Sequence, residues 1–354
     1  MPESAAQTNP TPLFLSVVLP VRNEERHIAR VIGELQAQSL PHDRYELIVV
    51  DGMSTDRTRD VVMDLQASDP RIRLLDNPAG LSGAARNVGA RFALGSHILF
   101  IDGHCSIVSE RMLEGVVEAF ASGARCVSRP QPLIAEGDNA FQTAVSLARQ
   151  SYLGHNSGSR IYSGDAQWCS PLSAGCGYER SLYLELGGID ERFDAGEDLE
   201  FNLRVERMGI QAWHEQEFAV AYMPRSSLTA LFRQIYRYGY GRAMMTRKHP
   251  GSLSPAALGL AVLSMLALCL PLVGLIHPAA LAVWTLLTIT HIGAIALDSA
   301  IVTLRRQPSQ FFRVMICLLA IHHGAGLGYL SGATGGPAWS HPPPKCLRKT
   351  ALPL

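Results

Sequence analysis

Residues 45–58 read YELIVVDGMSTDRT. The first six positions, Tyr45–Val50, are nearly apolar and rich in strand-forming side chains, the pattern of a strand buried on both faces. The run ends at Asp51-Gly52, a strand-end carboxylate followed by a turn residue. Ser54 or Thr55 then caps a helix with Thr58 in its first turn. A buried strand that passes through a polar turn into a helix is half of a parallel-sheet unit.

Working outward, the same unit recurs. Upstream, FLSVVLP (14–20) is a β-branched run closed by proline, and Asn23 with Glu24-Glu25 makes an acidic helix start. The helix from His27 to Gln38 places Ile28, Val31, Ile32 and Leu35 on one face. Downstream, Ile72–Leu75 is a third strand, and a Gly-rich turn (77–83) leads into a helix over Ala84–Ala93. HILFI (97–101) is a fourth strand, ending at Asp102. Strand and helix alternate about every 25 to 30 residues, which predicts an α/β fold with a mostly parallel sheet covered on both faces. Ligands bind such sheets beyond the carboxyl ends of the strands, and there Asn23, Asp51 and Asp102 converge. Beyond Arg125 the pattern loosens. Polar loops (129–140 and 154–176), a helix over Glu179–Leu186, the turn IDERFDAGED, a helix over Leu199–Met208 and a strand near Val220–Tyr222 are expected.

The 354 residues carry 31 Lys+Arg against 31 Asp+Glu, so no whole-chain basic field exists to hold nucleic acid. Seven Cys are scattered without a CxxC pair, which excludes a disulfide framework and a Cys-rich zinc site. Charged residues make up 18%, against roughly 25% in soluble domains, and the shortfall is local. Between residues 251 and 304 the only charged side chain is Asp298. Two apolar runs there, broken at His277-Pro278, are each long enough to cross a bilayer core of about 30 Å. A third, Val314 to Leu330, is shorter and holds His322-His323 and several Gly. The division expected is therefore a flexible N-terminus (1–13), a catalytic domain (14–245) ending in interfacial helices, a transmembrane region (251–332) of two or three spans, and a polar tail (333–354). Arg242, Arg247 and Lys248 before the first span, and Arg305, Arg306 and Arg313 between the second and third, place the N-terminal domain in the cytoplasm.

Several residues carry candidate chemistry. Asp51 can accept hydrogen bonds from a nucleobase or ribose, or simply satisfy its own turn. Arg86, in NPAGLSGAARNVG (77–89), can meet a diphosphate; the stretch is neither a GxxxxGK loop nor GxGxxG. Asp102 and His104 in IDGH can share a divalent cation with phosphate oxygens. Glu197-Asp198 stand at a helix start, where the first N–H groups favour anions and a carboxylate can deprotonate a hydroxyl; the bland reading is a solvated acidic cap. The segment RQIYRYGYGR (233–242) interleaves Arg and Tyr before the first span, suited to phosphate binding at a membrane surface or to plain interfacial anchoring.

Together these stretches resemble the inverting family 2 glycosyltransferases with a GT-A catalytic domain, close to the bacterial succinoglycan-type exopolysaccharide enzymes of the membrane. SVVLPVRNEE (16–25) is similar to the family's first strand and turn, VVDGMSTDRT (49–58) to its nucleoside-binding Asp, and IDGH to its DxD position with His104 as second ligand. AGEDLEFNLR (195–204) is similar to the ED position, and QIYRY (234–238) to Q/R-x-x-R-W with Tyr238 for Trp. The resemblance implies that Asp198 is the catalytic base and that Pro20, Arg22, Glu24, Asp51, Arg86 and Asp102 bind the donor. It further implies that Arg233, Gln234, Arg237 and Tyr238 serve the diphosphate at the interface, and that Asp102 and His104 hold Mg²⁺ or Mn²⁺. Asp165, Trp168 and Glu197 are expected on the acceptor side. The implied reaction moves a sugar from a nucleotide-diphospho-sugar, a UDP-hexose above all, to a lipid-linked glycan with inversion, in a multi-pass protein of the bacterial inner membrane. A polyprenyl-phosphate sugar synthase or a glycolipid-forming enzyme is the alternative within the family. A nucleotidyltransferase needs neither the ED helix start nor QIYRY, and a non-catalytic membrane module predicts no metal-dependent nucleotide binding.

Overall fold

The computed structural model describes residues 15–155, 159–305 and 307–336. The expected flexible N-terminus, Arg306 and all but the first residues of the polar tail lie outside the described residues. The strand expected at 14–20 is β1 (Leu15–Val21), every residue of it buried. Helix α1 (Ile28–Gln36) buries the four apolar positions expected of it. The opening stretch gives β2 (Tyr45–Asp51) and α2 (Thr58–Ser68), followed by β3 (Ile72–Asp76), α3 (Ser82–Phe92) and β4 (His97–Phe100). These strands pair in parallel in the order β3-β2-β1-β4. Two apolar cores lie on the two faces, one under α1, the other under α3.

The second half departs from the regular alternation. After β5 (Ser106–Ile107), α4 (Met112–Ala121), β6 (Cys126–Ser128), α5 (Ala140–Gln150) and β7 (Gln167–Cys169) comes β8 (Gly175–Glu179), which inserts antiparallel between β4 and β6. Helices α6 (Arg180–Glu185) and α7 (Glu197–Arg207) and strand β9 (Ala212–His214) follow, and β9 and β7 complete the eight-stranded sheet. Strand β10 (Val220–Ala221) pairs with β5 in a separate ribbon.

Then come α8 (Leu228–Lys248) and three apolar helices, α9 (Pro255–Gly274), α10 (Pro278–Thr303) and α11 (Phe311–Thr334). All three are long and apolar enough to cross a membrane, with the expected break at His277-Pro278. The third is not a shortened span. It has the lowest mean hydropathy, 1.5, because 56% of its apolar window is buried within the protein, against 11% for α9 and 6% for α10. A helix that faces protein need not be uniformly greasy. Its glycines permit a close approach: a Cβ at Gly328 would strike the Tyr236 carbonyl of α8, and one at Gly239 the Ala325 carbonyl of α11. Small residues that let helix backbones touch are the usual seam of membrane helix pairs. Helices α5, α8, α10 and α11 share one core around Val145, Ile235, Ile295 and Leu318.

Candidate active site

The end of β4, the segment after β6, the start of α7 and one face of α8 enclose a cleft of about 490 Å³, which no residue at the ends of β1, β2 or β3 lines. Asp102, just past β4, lies on its wall. One carboxylate oxygen accepts from Arg86 Nη2 at 3.1 Å and the other from the Tyr222 hydroxyl at 2.6 Å. Burial works to raise the pKa of Asp102, but Arg86, backed by His104 and the Tyr222 hydroxyl, holds it well below the usual carboxylate range. Arg86, projected by α3, also donates to Glu197 Oε1 at 2.9 Å, so one guanidinium joins the end of β4 to the start of α7. Burial, with the adjacent Asp198 carboxylate, outweighs Arg86 and pushes the Glu197 carboxyl up to about 7.

Asp198 lines the same cleft and is exposed to it. It sits in the first turn of α7, whose N-cap is Gly196 in the left-handed region at φ 74°. That turn is where orphan N–H groups stabilise anions. Helix α8 fixes its position. Arg237 Nη2 donates to the Asp194 carbonyl at 2.8 Å and pairs with the Asp194 carboxylate at 3.2 Å. Lys248 reaches Asp190 and the fully buried Glu200, each at 2.7 Å, and His249 meets Glu200 at 2.8 Å. A Cβ on Gly241 would collide with the Ala195 carbonyl, so the two backbones touch beside the turn that carries Asp198.

His104 also faces the cleft. Its Nδ1 bonds Glu24 Oε1 at 3.0 Å, a contact that raises its pKa. A carboxylate on one ring nitrogen is how proteins orient a histidine that offers its other nitrogen to a metal. Among the described residues no three His, Cys, Asp or Glu side chains converge into a closed metal cage. Asp102 uses one lone pair on each oxygen and keeps others. The pair Asp102 and His104 thus fits a cation whose remaining ligands are phosphate oxygens.

A family model described as glycosyl transferase family 2 matches residues 16–176, the region holding β1 to β4 and Asp102. The succinoglycan biosynthesis protein ExoA of Rhizobium meliloti (strain 1021) is 33% identical over 240 residues, covering 66% of this chain and 70% of that protein. The chain belongs to glycosyl transferase family 2. It is a glycosyltransferase, and the cleft is its candidate active site. Another family relative is the dolichyl N-acetyl-alpha-D-glucosaminyl phosphate 3-beta-D-2,3-diacetamido-2,3-dideoxy-beta-D-glucuronosyltransferase of Methanococcus voltae. It is 26% identical over 246 residues, covering 66% of this chain and 74% of that one. The fold is similar to that of the mannosyltransferase PcManGT from Pyrobaculum calidifontis, solved in complex with GDP-Man and Mn²⁺, with a TM-score of 0.56 at 19% identity, over 91% of this chain and 88% of that one. The GT-A fold expected for the family is the fold observed.

The other expected residues distribute unevenly. Asp51 is fully buried, its carboxylate taken by Ser54 and by Arg59 Nη1 at 3.0 Å, so here it holds the turn after β2. Glu24 and Arg22 belong to the loop after β1, which is laced to that turn through Asn23–Thr55 and Glu24–Thr58 bonds of 2.8 and 2.7 Å. Arg22 donates to the Gly80 carbonyl, and Pro20 lies inside β1. Gln234 and Tyr238 line the cleft and bond each other at 3.1 Å, whereas Arg237 points to Asp194 and Arg233 is exposed on α8. Asp165 is exposed and bonded to Ser163, and Trp168 packs edge-on against Trp213; neither lines the cleft. Sequence reasoning missed Arg129 and Tyr222. Arg129 follows β6 directly and donates to the Phe100 carbonyl at 2.7 Å. Its one signal was a cation at the carboxyl end of a short apolar run, the same rule that picked out Asp102.

Proposed function

We propose that this glycosyltransferase transfers a hexose from a nucleotide-diphospho-sugar, a UDP-sugar first, to a lipid-linked glycan with inversion, building exopolysaccharide or another cell-surface glycan. The observation that carries the reading is that Asp102, Arg86 and Asp198 face one cleft, so the leaving diphosphate and the attacking hydroxyl have separate attendants. Asp198 removes the proton from the acceptor hydroxyl as its oxygen bonds to the anomeric carbon. The bond from that carbon to the diphosphate breaks on the opposite side, so an α-linked donor gives a β-linked product, the single inversion also seen in inverting glycosidases. Mg²⁺ or Mn²⁺ held by Asp102 and His104 would supply charge to the leaving diphosphate. Arg86 holds Asp102 and Glu197 in register and presents positive charge to the same oxygens. The loop of Pro20, Arg22 and Glu24 forms the nucleoside end, with Asp51 fixing its shape. Gln234 and Tyr238 wall the acceptor side, while Arg237 acts through Asp194 on the catalytic turn and Arg233 lies nearer the membrane surface.

The relatives in Rhizobium and Methanococcus support the acceptor class, since one name speaks of succinoglycan and the other of a dolichyl phosphate sugar. The basic residues flanking the apolar helices support a catalytic domain on the cytoplasmic face of a bacterial inner membrane. The test is donor turnover by detergent-purified full-length protein against UDP- and GDP-sugars with Mg²⁺ or Mn²⁺. One donor should turn over, and Asp198→Asn should lose at least about 100-fold in kcat while nucleotide affinity stays within about two-fold. Unchanged turnover in that variant would remove Asp198 from the mechanism; no nucleotide binding by the wild type would remove the glycosyl-donor reading.

A further inference from the structure

Five guanidinium groups line the cleft, from Arg86, Arg129, Arg149, Arg225 and Arg242, against three carboxylates. Two of the five are spoken for: Arg86 by Asp102 and Glu197, and Arg129 by the Phe100 carbonyl and the Tyr222 hydroxyl at 3.4 Å. The remaining three differ in kind. Arg242, on α8, is partly buried, and that burial lowers its pKa; the carboxylate that opposes the shift is Asp198. No ion pair forms to Arg242 among the described residues. Arg149, at the end of α5, lies over the Tyr238 ring at 5.9 Å and is engaged with no carboxylate there. Arg225 is exposed at the mouth. A guanidinium withdrawn from water without a carboxylate partner is costly, and an anion that arrives with the substrate removes the cost.

The donor does not supply that anion in full. A nucleotide-diphospho-sugar carries two negative charges, which the divalent cation of the proposed mechanism balances, so the excess of guanidinium charge remains. Its place is informative. Arg149 and Arg242 stand on α5 and α8, the two helices whose other faces share a core with α11 and α10. Arg86 stands on α3 and Asp102 just past β4, in the part of the lining that the sheet and its covering helix supply. The cleft thus has a sheet side with the donor machinery and a membrane side with unanswered positive charge.

We propose that Arg149 and Arg242, with Arg225 at the entrance, form a binding site for the phosphate or diphosphate of a membrane-borne prenyl lipid, adjacent to Asp198. This rests on the glycosyltransferase reading above and names the acceptor's anchoring group. Arg242 clamps a phosphate oxygen beside the base, and the aromatic face of Tyr238 keeps Arg149 spread toward the same anion. The prenyl chain leaves toward the apolar helices.

The test uses full-length protein in detergent with short probes: farnesyl diphosphate, farnesyl monophosphate, farnesol and UDP. The wild type should bind both prenyl phosphates, more weakly at high salt, and farnesol far more weakly. Arg242→Gln and Arg149→Gln should each weaken prenyl phosphate binding by about ten-fold or more, leaving UDP affinity within about two-fold and the thermal midpoint close to wild type. Arg242→Lys should recover part of the loss. Equal losses for UDP and the prenyl phosphates would assign these residues to the donor diphosphate and overturn the proposal. Absence of prenyl phosphate binding by wild-type protein that binds UDP would overturn it too, while leaving the glycosyltransferase reading standing. Binding of farnesol as tight as the phosphates would reduce the site to a greasy slot.

Discussion

Glu197 is the residue on which the electrostatics of the cleft turn. Its carboxyl, ordinarily near 4.5, titrates at about 7 in the folded protein because burial and Asp198 outweigh Arg86. The folded chain therefore keeps a proton that the unfolded chain has released across that interval. The stability tied to this proton is fully present below pH 4.5 and is lost as pH rises through 7. Glu197→Gln should flatten the pH dependence of the unfolding free energy across this window, by on the order of 3 kcal/mol. A profile of unchanged slope would show that the carboxyl ionises normally. Single residues were also where the sequence spoke most clearly. Asp102 sits just past a buried strand and Asp198 in the first turn of a helix, positions that local pattern discloses, whereas Arg86, inside α3, stood out as a cation among small residues. Arg242 was visible only as one basic residue among several, because whether a cation faces lipid headgroups or a cleft depends on the partner helix.

At the scale of elements, α8 decides how α7 sits. The Arg237–Asp194, Lys248–Glu200 and His249–Glu200 contacts fix the turn that carries Asp198. With Asp198 as the proposed base, Arg237→Ala should lower kcat by about ten- to a hundred-fold, since small misplacements of such a group are expensive, with little change in KM. An effect confined to KM would place Arg237 on substrate instead. Gly241→Ala should act the same way through the Ala195 backbone, with a drop in thermal midpoint besides. The first four strands and three helices were legible because each buries a complete apolar face with its own period. Strand β8, reading GCGYE, was not: two glycines and one charge give no alternation, and its place between β4 and β6 is set by its neighbours. Helix α5 was hidden for a related reason, since part of its apolar face is answered by α11, some 170 residues away in sequence.

For the molecule as a whole, the apolar helices and the catalytic domain are one packed body. Ile235 and Val145 belong to the same core as Ile295, Val314 and Leu318. Truncation after residue 250 should leave an apolar face on α5 and α8 that drives association. The fragment should elute as aggregate in size-exclusion chromatography without detergent, and a monodisperse, active fragment would contradict the shared core. Leu153, just past α5, adds a polar tie: its N–H donates to Asp298 of α10 at 3.1 Å, and its carbonyl meets His322 of α11 at 2.9 Å. That single residue works like a bolt between a workbench and the floor. A domain tied to its apolar helices in this way would hold Asp198, the proposed base, at one height above the bilayer, within reach of a hydroxyl presented at that height. Each sugar added lifts the growing end past that height, so the enzyme would count to one and let go.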